Sequence, residues 1–199
     1  MMWTLALETT SAQGSVALLR DGETVVELAL VGRNYGVDVF RASEEALAGA
    51  GLKLSEVDRF AVADGPGSFT GVRVGLTVVK GWTEVLGTPA VAVSTLAAVR
   101  ACAGEAVAYA ALDASRGEVY FAGPGGEEGL EPIAAFRARL SHGSGVTPNT
   151  ALLASIPELR LVGPLLAAAV GRLAQGAART DSLRLDARYL RRSDAELYA

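Results

Sequence analysis

Gly65-Pro66-Gly67-Ser68-Phe69-Thr70-Gly71-Val72-Arg73-Val74-Gly75-Leu76 follows an apolar run at 60–63 that reads as a buried strand. It leads into a helical pattern that continues to Leu86, where Gly87-Thr88-Pro89 ends it. A glycine-rich turn from strand to helix presents backbone N–H groups at the helix start, where an anion can bind. The spacing is not that of a P-loop, because no Gly-Lys-Ser/Thr follows. It is not the dinucleotide fingerprint either, because Thr70 stands where the third glycine belongs. Pro66 and Thr70 flank Ser68 at two residues, so the turn is no nucleophile elbow. Two readings stay open: an anion- or partner-contacting turn, and a tight connection that packs closely. The helix beyond is apolar nearly all round, with Val72, Leu76 and Val79 on one face and Val74, Val78, Trp82 and Val85 on the next. Gly71 and Gly75 share a face on which another helix could approach closely. It reads either as a central core helix or as one shared between the core and a subunit interface.

Outward from this turn, the N-terminal region reads as a β-meander. Strands are expected at 3–7, 15–19 and 24–30, with Asp21-Gly22 as a two-residue hairpin turn. The first connection, Glu8-Thr9-Thr10-Ser11-Ala12-Gln13-Gly14, is rich in hydroxyls. Val37, Phe40, Leu47 and Ala50 mark a helix over 37–50, and 55–58 a short turn. C-terminal to the long helix, 90–93 reads as a strand and Ser94 as the N-cap of a helix at 95–103. Paired strands are expected at 106–112 and 118–122 around Asp113-Ala114-Ser115-Arg116-Gly117. Residues 123–129 read as an exposed loop, and 141–157 give no firm signal. A strand is expected at 160–162, and Gly163-Pro164 reads as opening a helix to about Gln175. No repeat of solenoid period is present.

The 199 residues carry 18 Lys+Arg against 22 Asp+Glu, a net charge of −4, and half of them are hydrophobic. That is globular composition with enough apolar material for a core, and it excludes a disordered or collagenous chain. Sixteen Arg against two Lys (Lys53 and Lys80), scattered in an acidic chain, make autonomous nucleic-acid binding a poor expectation. One cysteine, Cys102, excludes an internal disulfide and cysteine-rich zinc sites; one histidine, His142, excludes two-histidine metalloprotease motifs. The start lacks a basic n-region, and the apolar stretch 85–99 falls short of a membrane span. A soluble, cytoplasmic protein without membrane contact is expected.

Smaller candidates carry two readings each. Thr9, Thr10 and Ser11 with Gly14 could clasp a phosphate, with Glu8 as a carboxylate for Mg²⁺, or form a plain polar hairpin loop. His142, in a Gly/Ser loop, reads as solvated, and nothing positions a Ser-His-Asp triad around it. Cys102 reads as a small buried residue. Asp113, Arg116 and Glu118 form either a charged cluster or ordinary turn chemistry.

Several of these segments together resemble one family. Leu5-Ala6-Leu7-Glu8-Thr9-Thr10 with Gly14-Ser15-Val16-Ala17-Leu18 is similar to the first hairpin of the TsaB (YeaZ-like) proteins, and 65–76 to their most specific motif. Lys80-Gly81, Val93-Ser94-Thr95-Leu96 and Asp113-Ala114-Ser115-Arg116-Gly117-Glu118-Val119-Tyr120 follow in order, and Tyr189-Leu190-Arg191 with Ala195-Glu196 resembles the family's end. The likeness covers 5–120 and thins over 123–186.

The resemblance implies an actin-like (ASKHA, ribonuclease H-like) α/β fold of two lobes, each a mixed sheet with packed helices. The lobes are expected at 1–104 and 105–199, with the last residues returning to the first. It implies a non-catalytic accessory subunit that activates TsaD. TsaD carries out N6-threonylcarbamoyladenosine (t6A) modification of adenosine 37 in tRNAs reading ANN codons. A TsaE-type ATPase is expected in the larger complex, a homodimer for the isolated chain, and tRNA contact only through the complex. No cofactor is required, with a weak nucleotide conceivable at the partner interface.

On this reading Val37, Phe40, Gly71, Val72, Arg73, Gly75, Leu76 and Val79 meet the partner. Thr9, Thr10, Ser11, Gly67 and Ser68 form a vestigial nucleotide or anion contact, and Gly75→Leu weakens pairing without unfolding the chain. Two departures stand out. Gly32-Arg33-Asn34-Tyr35-Gly36-Val37-Asp38 lacks the family's usual His-Ser, and Ser115 replaces a more usual Arg or Ala. The alternatives are a free-standing actin-like ATPase or kinase, and a hydrolase using Ser68 or Ser11 with His142.

Overall fold

Positive φ at Asp21 and Gly22 (52° and 88°) turns β2 (Ser15–Arg20) tightly into β3 (Glu23–Ala29), as the dipeptide predicts. The computed structural model describes residues 1–31, 35–104, 107–177 and 185–191. The expectations that rest on Gly32, Arg33, Asn34, Ala195 and Glu196, and the expected strand start at Ala106, lie outside the described residues.

The first sheet has the order β3-β2-β1-β4-β5. β1 (Trp3–Glu8) pairs antiparallel with β2 and parallel with β4 (Arg59–Ala63), and β5 (Ala90–Val93) continues in parallel. Helix α1 (Tyr35–Gly49) joins β3 to β4, α2 (Phe69–Leu86) joins β4 to β5, and α3 (Thr95–Ala103) follows β5. Ser94 caps α3 by accepting from the Ala97 N–H at 3.3 Å, and Gly87 at φ 69° ends α2.

The second half repeats this plan. Its sheet comprises β6 (Tyr109–Asp113), β7 (Glu118–Ala122), β8 (Glu128–Pro132), β9 (Gly145–Thr147) and β10 (Leu159–Leu161), in the order β8-β7-β6-β9-β10. Strands β6, β7 and β8 run antiparallel, and β6, β9 and β10 parallel. Helices α4 (Ile133–Leu140), α5 (Thr150–Ser155) and α6 (Ala167–Ala174) stand where α1, α2 and α3 stand in the first half.

The strands alternate, and the alternation sorts their side chains into layers. Leu5, Leu7, Val16, Leu18, Phe60 and Val62 meet α1 and α2. Ala6, Ala17, Ala61 and Ala63, from the opposite face, meet α6. Small residues on that face let α6 lie close: a Cβ on Gly171 would stand 2.3 Å from Leu19 Cδ1. Each half sends its last helix across, so α3 packs on the second sheet, α6 on the first, and the two on each other. Phe121, Phe136, Leu152 and Ile156 fill the outer layer of the second sheet.

Two expectations need correction, and one silent stretch is filled. Residues 123–129 are not all loop: Glu128 and Gly129 open β8, with Gly129 seated against the Phe121 ring, where a Cβ would meet Cε1 at 2.8 Å. The weakly patterned 141–157 contains β9 and α5. The last helix begins at Ala167 rather than at Pro164, because its first turn is capped from strands far away in sequence. Ser15 Oγ accepts from the N–H groups of Leu166 (3.2 Å) and Ala167 (3.0 Å), and the Glu27 carboxylate accepts from Ala168 (3.0 Å).

Ser15 is fully buried. Ser15→Ala is therefore expected to cost about 2 kcal/mol, within the range of a lost cap and a buried orphan donor. Urea unfolding of this variant beside Glu23→Ala, an exposed position on the same sheet, measures it; Glu23→Ala should stay within about 0.5 kcal/mol of the parent.

Candidate functional site

The two loops singled out in the sequence meet face to face. Ser68 N–H donates to the Thr10 carbonyl at 2.7 Å, and Thr9 Oγ1 donates to the Gly71 carbonyl at 2.7 Å. Ser68 Oγ caps α2 by accepting from Gly71 N–H at 3.2 Å. A Cβ on Gly67 would stand 2.5 Å from Thr10 O, and one on Gly71 only 1.9 Å from Thr9 O. The glycines are there because the first loop occupies the space a side chain would need.

That loop is closed around Glu8. The Thr10 N–H, Thr10 hydroxyl and Ser11 N–H donate to Glu8 Oε1 at 2.5, 2.6 and 2.8 Å, and Ser11 Oγ lies 2.5 Å from Oε2. Thr10 Oγ1 also contacts Thr95 Oγ1 at 2.9 Å, tying the loop to α3. Glu8 is fully buried, and burial pushes its carboxyl above the usual range against the pull of these hydrogen bonds. The donors that would clasp a phosphate are thus engaged by the chain's own side chain, and this arrangement does not fit a phosphate group. Glu8 is turned into the chain, where these donors take up its carboxylate. Among the described residues, no group of three His, Cys, Asp or Glu side chains is placed to hold a metal ion. No helix among them is long and apolar enough to cross a membrane. His142 is exposed, and its side chain shares no hydrogen bond with Ser11 or Ser68.

Tyr35, from the segment that lacks the family's usual His-Ser, latches the same loop to α1. Its hydroxyl donates to the Ala12 carbonyl at 2.9 Å and accepts from Gly14 N–H at 3.1 Å. The sequence reading passed over this role; an aromatic with a polar tip just before an apolar helical run was the available signal.

The residues expected to meet a partner divide into two groups. Gly71, Val72, Gly75, Leu76 and Val79 are buried within the chain. The small-residue face of α2 admits Thr9, not a second helix: a Cβ on Gly75 would stand 2.6 Å from Thr9 Oγ1 and 3.2 Å from Val62. These five are corrected to core positions. Val37, Phe40 and Arg73 are exposed. Phe40 and Arg73 line an open groove of about 600 Å³ between α1 and α2, with Phe69, Val74, Thr77 and Trp82. Phe40 is 47% exposed and Phe69 52%. Trp82 floors the groove, edge-on to Phe40 (centroids 5.9 Å) and tilted against the buried Phe60 (5.3 Å).

A C-terminal strap, 185–191, ties the two halves. Leu185 is fully buried against the α1–α2 layer. Arg188 forks onto Asp64 (Nε–Oδ1 3.1 Å, Nη2–Oδ2 3.2 Å) at the end of β4 and reaches Glu128 of β8 at 3.6 Å. Burial raises the Asp64 carboxyl, opposed by the Arg188 guanidinium. Arg191 pairs with Glu118 of β7.

A family model described as TsaD, tRNA N6-adenosine threonylcarbamoyltransferase, matches residues 29–129. The tRNA threonylcarbamoyladenosine biosynthesis protein TsaB of Haemophilus influenzae is 40% identical over 121 residues, 59% of this chain and 51% of that protein. The chain spans about half the length of the curated relatives it matches. The solved structure of YeaZ from Pseudomonas aeruginosa superposes with a TM-score of 0.77 at 27% identity, over 96% of this chain and all of that one. The ethanolamine utilization protein EutJ of Carboxydothermus hydrogenoformans shares the fold, with a TM-score of 0.51 at 12% identity, over 86% of this chain and 90% of that one.

Proposed function

The chain belongs to the TsaB/YeaZ family, related to TsaD and built on the actin-like two-lobe α/β fold, and from that premise we propose that it is a non-catalytic accessory subunit of t6A biosynthesis that binds a TsaD-type enzyme through the α1–α2 groove. The observation that carries this reading is the groove itself. It sets half-exposed aromatic side chains over a tryptophan floor, the composition of an interface hot spot. Its elements also lie inside 29–129, the segment matched by the TsaD family model. On this reading a TsaD-type chain carries an equivalent helix pair, and the two like surfaces pair about an approximate two-fold axis. The same geometry pairs two copies of this chain when it is alone.

Catalysis on adenosine 37 of tRNAs reading ANN codons then belongs to the partner. This chain acts by binding the partner's active conformation more tightly than its inactive one, as any activator must. A TsaE-type ATPase joins the larger complex. tRNA is held through the complex, consistent with a net charge of −4 on this chain.

Isothermal titration against a purified TsaD-type protein tests the reading. Wild type should bind, and Phe40→Asp should bind about 100-fold more weakly, the loss expected for burying an unpaired charge at a hot spot. Its unfolding temperature should fall by no more than a few degrees, because Phe40 is half exposed and gives up chiefly its edge-on contact with Trp82. A wild-type chain that does not bind, or a Phe40→Asp chain that binds undiminished, overturns the proposal.

A further inference from the structure

One end of the groove carries a side-chain stack whose members stay exposed. The Arg73 guanidinium carbon lies 3.8 Å from the centroid of the Phe69 ring. Tyr189 packs against the same ring, centroids 5.7 Å apart and planes at 34°. Arg73 Nε donates to the Tyr189 hydroxyl at 3.2 Å. Phe69 and Tyr189 are each 52% exposed. So exposed a cluster adds little to the stability of the isolated chain, yet its parts are held firmly. Tyr189 does not depend on the stack for its place. Its neighbour Arg188 is fixed by the fork on Asp64 and by its own N–H donating to the Asp64 carbonyl at 2.8 Å. Leu185 and Arg191 anchor the strap on either side.

The consequence is an arginine oriented in advance. Nε is committed to Tyr189, and the guanidinium carbon is seated over the Phe69 ring. Among the described residues, the terminal Nη1 and Nη2 groups have no acceptor. A guanidinium held this way presents a planar fork that matches a carboxylate, and the side-chain entropy of ordering it is already lost before binding. A lone arginine beside an apolar aromatic groove suits a protein surface better than an RNA backbone, which calls for several cations along a track. Resting on the partner reading above, we propose that Arg73 is a preset receptor for an Asp or Glu side chain of the TsaD-type partner, with Tyr189 of the strap as its positioning residue.

The test is titration calorimetry of wild type, Arg73→Gln, Tyr189→Phe and the double variant against the TsaD-type protein, at about 50 and about 300 mM salt. Arg73→Gln should weaken binding about 10- to 100-fold at low salt and remove most of the salt dependence. Tyr189→Phe keeps the ring but loses the acceptor, and should weaken binding about 3- to 10-fold. Because Tyr189 acts through Arg73, the double variant should bind no worse than Arg73→Gln alone.

Wild-type affinity in Arg73→Gln, an undiminished salt dependence, or additive losses in the double variant each overturn the proposal. So does a loss confined to tRNA binding or to self-association. Phe40→Asp separates the two levels. If it alone abolishes binding, the groove stands and the receptor falls; if neither it nor Arg73→Gln matters, the partner reading falls as well.

Discussion

Gly71→Ala is expected to lose about 4 kcal/mol or more of stability, enough to leave much of the chain unfolded. The added Cβ would stand 1.9 Å from the Thr9 carbonyl oxygen. That atom is backbone, so no side-chain rotation relieves the clash, and ordinary contact requires a shift of more than about 1 Å. Thr9 has little freedom to give way. Its hydroxyl donates to the Gly71 carbonyl, and the loop that follows is held by Glu8 and by Ser68. Gly81→Ala in the same helix is the contrast. Nothing lies within 4 Å of its Cβ, and removing a glycine from a helix interior should add about 0.5–1 kcal/mol. Denaturant midpoints of the two variants check both signs. The same geometry reverses the expectation for Gly75→Leu: that side chain meets Thr9 and Val62, so the variant fails by unfolding rather than by losing a partner.

Glu8→Ala is the second large effect, expected at about 4 kcal/mol. It strips the acceptor from the Thr10 and Ser11 N–H groups and the Thr10 hydroxyl, at about 1–3 kcal/mol for each buried orphan, reduced where water enters. Glu8→Gln should be mild, because proton bookkeeping already favours a neutral side chain there. Ser11 Oγ has one hydrogen and faces both Glu8 Oε2 at 2.5 Å and the Gln13 carbonyl at 2.9 Å. With a proton on Oε2, Glu8 donates to Ser11 and Ser11 donates to Gln13, and every group is satisfied. The side-chain amide introduced by Glu8→Gln can make the same donation.

Burial raises the Glu8 carboxyl above its unfolded value of 4.5, so the native state holds the proton over a pH range where the unfolded chain has lost it. The contribution of Glu8 is fully present below pH 4.5 and is lost as pH rises through its native value, with a slope of at most about 1.4 kcal/mol per pH unit. Glu8→Gln should abolish that slope. The difference in unfolding free energy between wild type and Glu8→Gln, followed from pH 4 upward, should therefore move in favour of the variant. A flat difference would show that Glu8 is ionised in the native state.

Much of the candidate site was legible because it is built from short-range signals. The strand–turn–helix at 65–76 is written in its glycines and in Ser68 as a cap, and the loop at 8–14 in its hydroxyls. What these loops do with one another was not legible. The acceptor for the first loop's donors is a carboxylate whose direction follows from the β1 pleat, which sets Glu8 on the Ala6 face, away from α2. Asp64 and Arg188 stand 124 residues apart, and no local pattern links them. Nor does the sequence show that 109–174 repeats the plan of the first half, since the repeat lies in strand order and crossovers rather than in residue types.

The sequence by itself determined the local stops and starts: the turn at Asp21-Gly22, the Ser94 cap, the Gly87 stop, and the strand-to-helix turn that carries the family likeness. Each is signalled by backbone preferences and capping hydrogen bonds within a few residues, so each can be read from its neighbours alone. Only the tertiary structure decided which face of α2 is inside, where α6 begins, and that Glu-Gly-Leu-Glu-Pro at 128–132 is a strand. α2 is apolar nearly all round, so periodicity cannot orient it; the close approach of Thr9 does, turning Gly71 and Gly75 inward and leaving Phe69, Arg73 and Val74 to the groove. α6 takes its caps from Ser15 and Glu27, and β8 takes its hydrogen bonds from β7, because groups that chain neighbours cannot satisfy are satisfied by whatever the fold brings beside them.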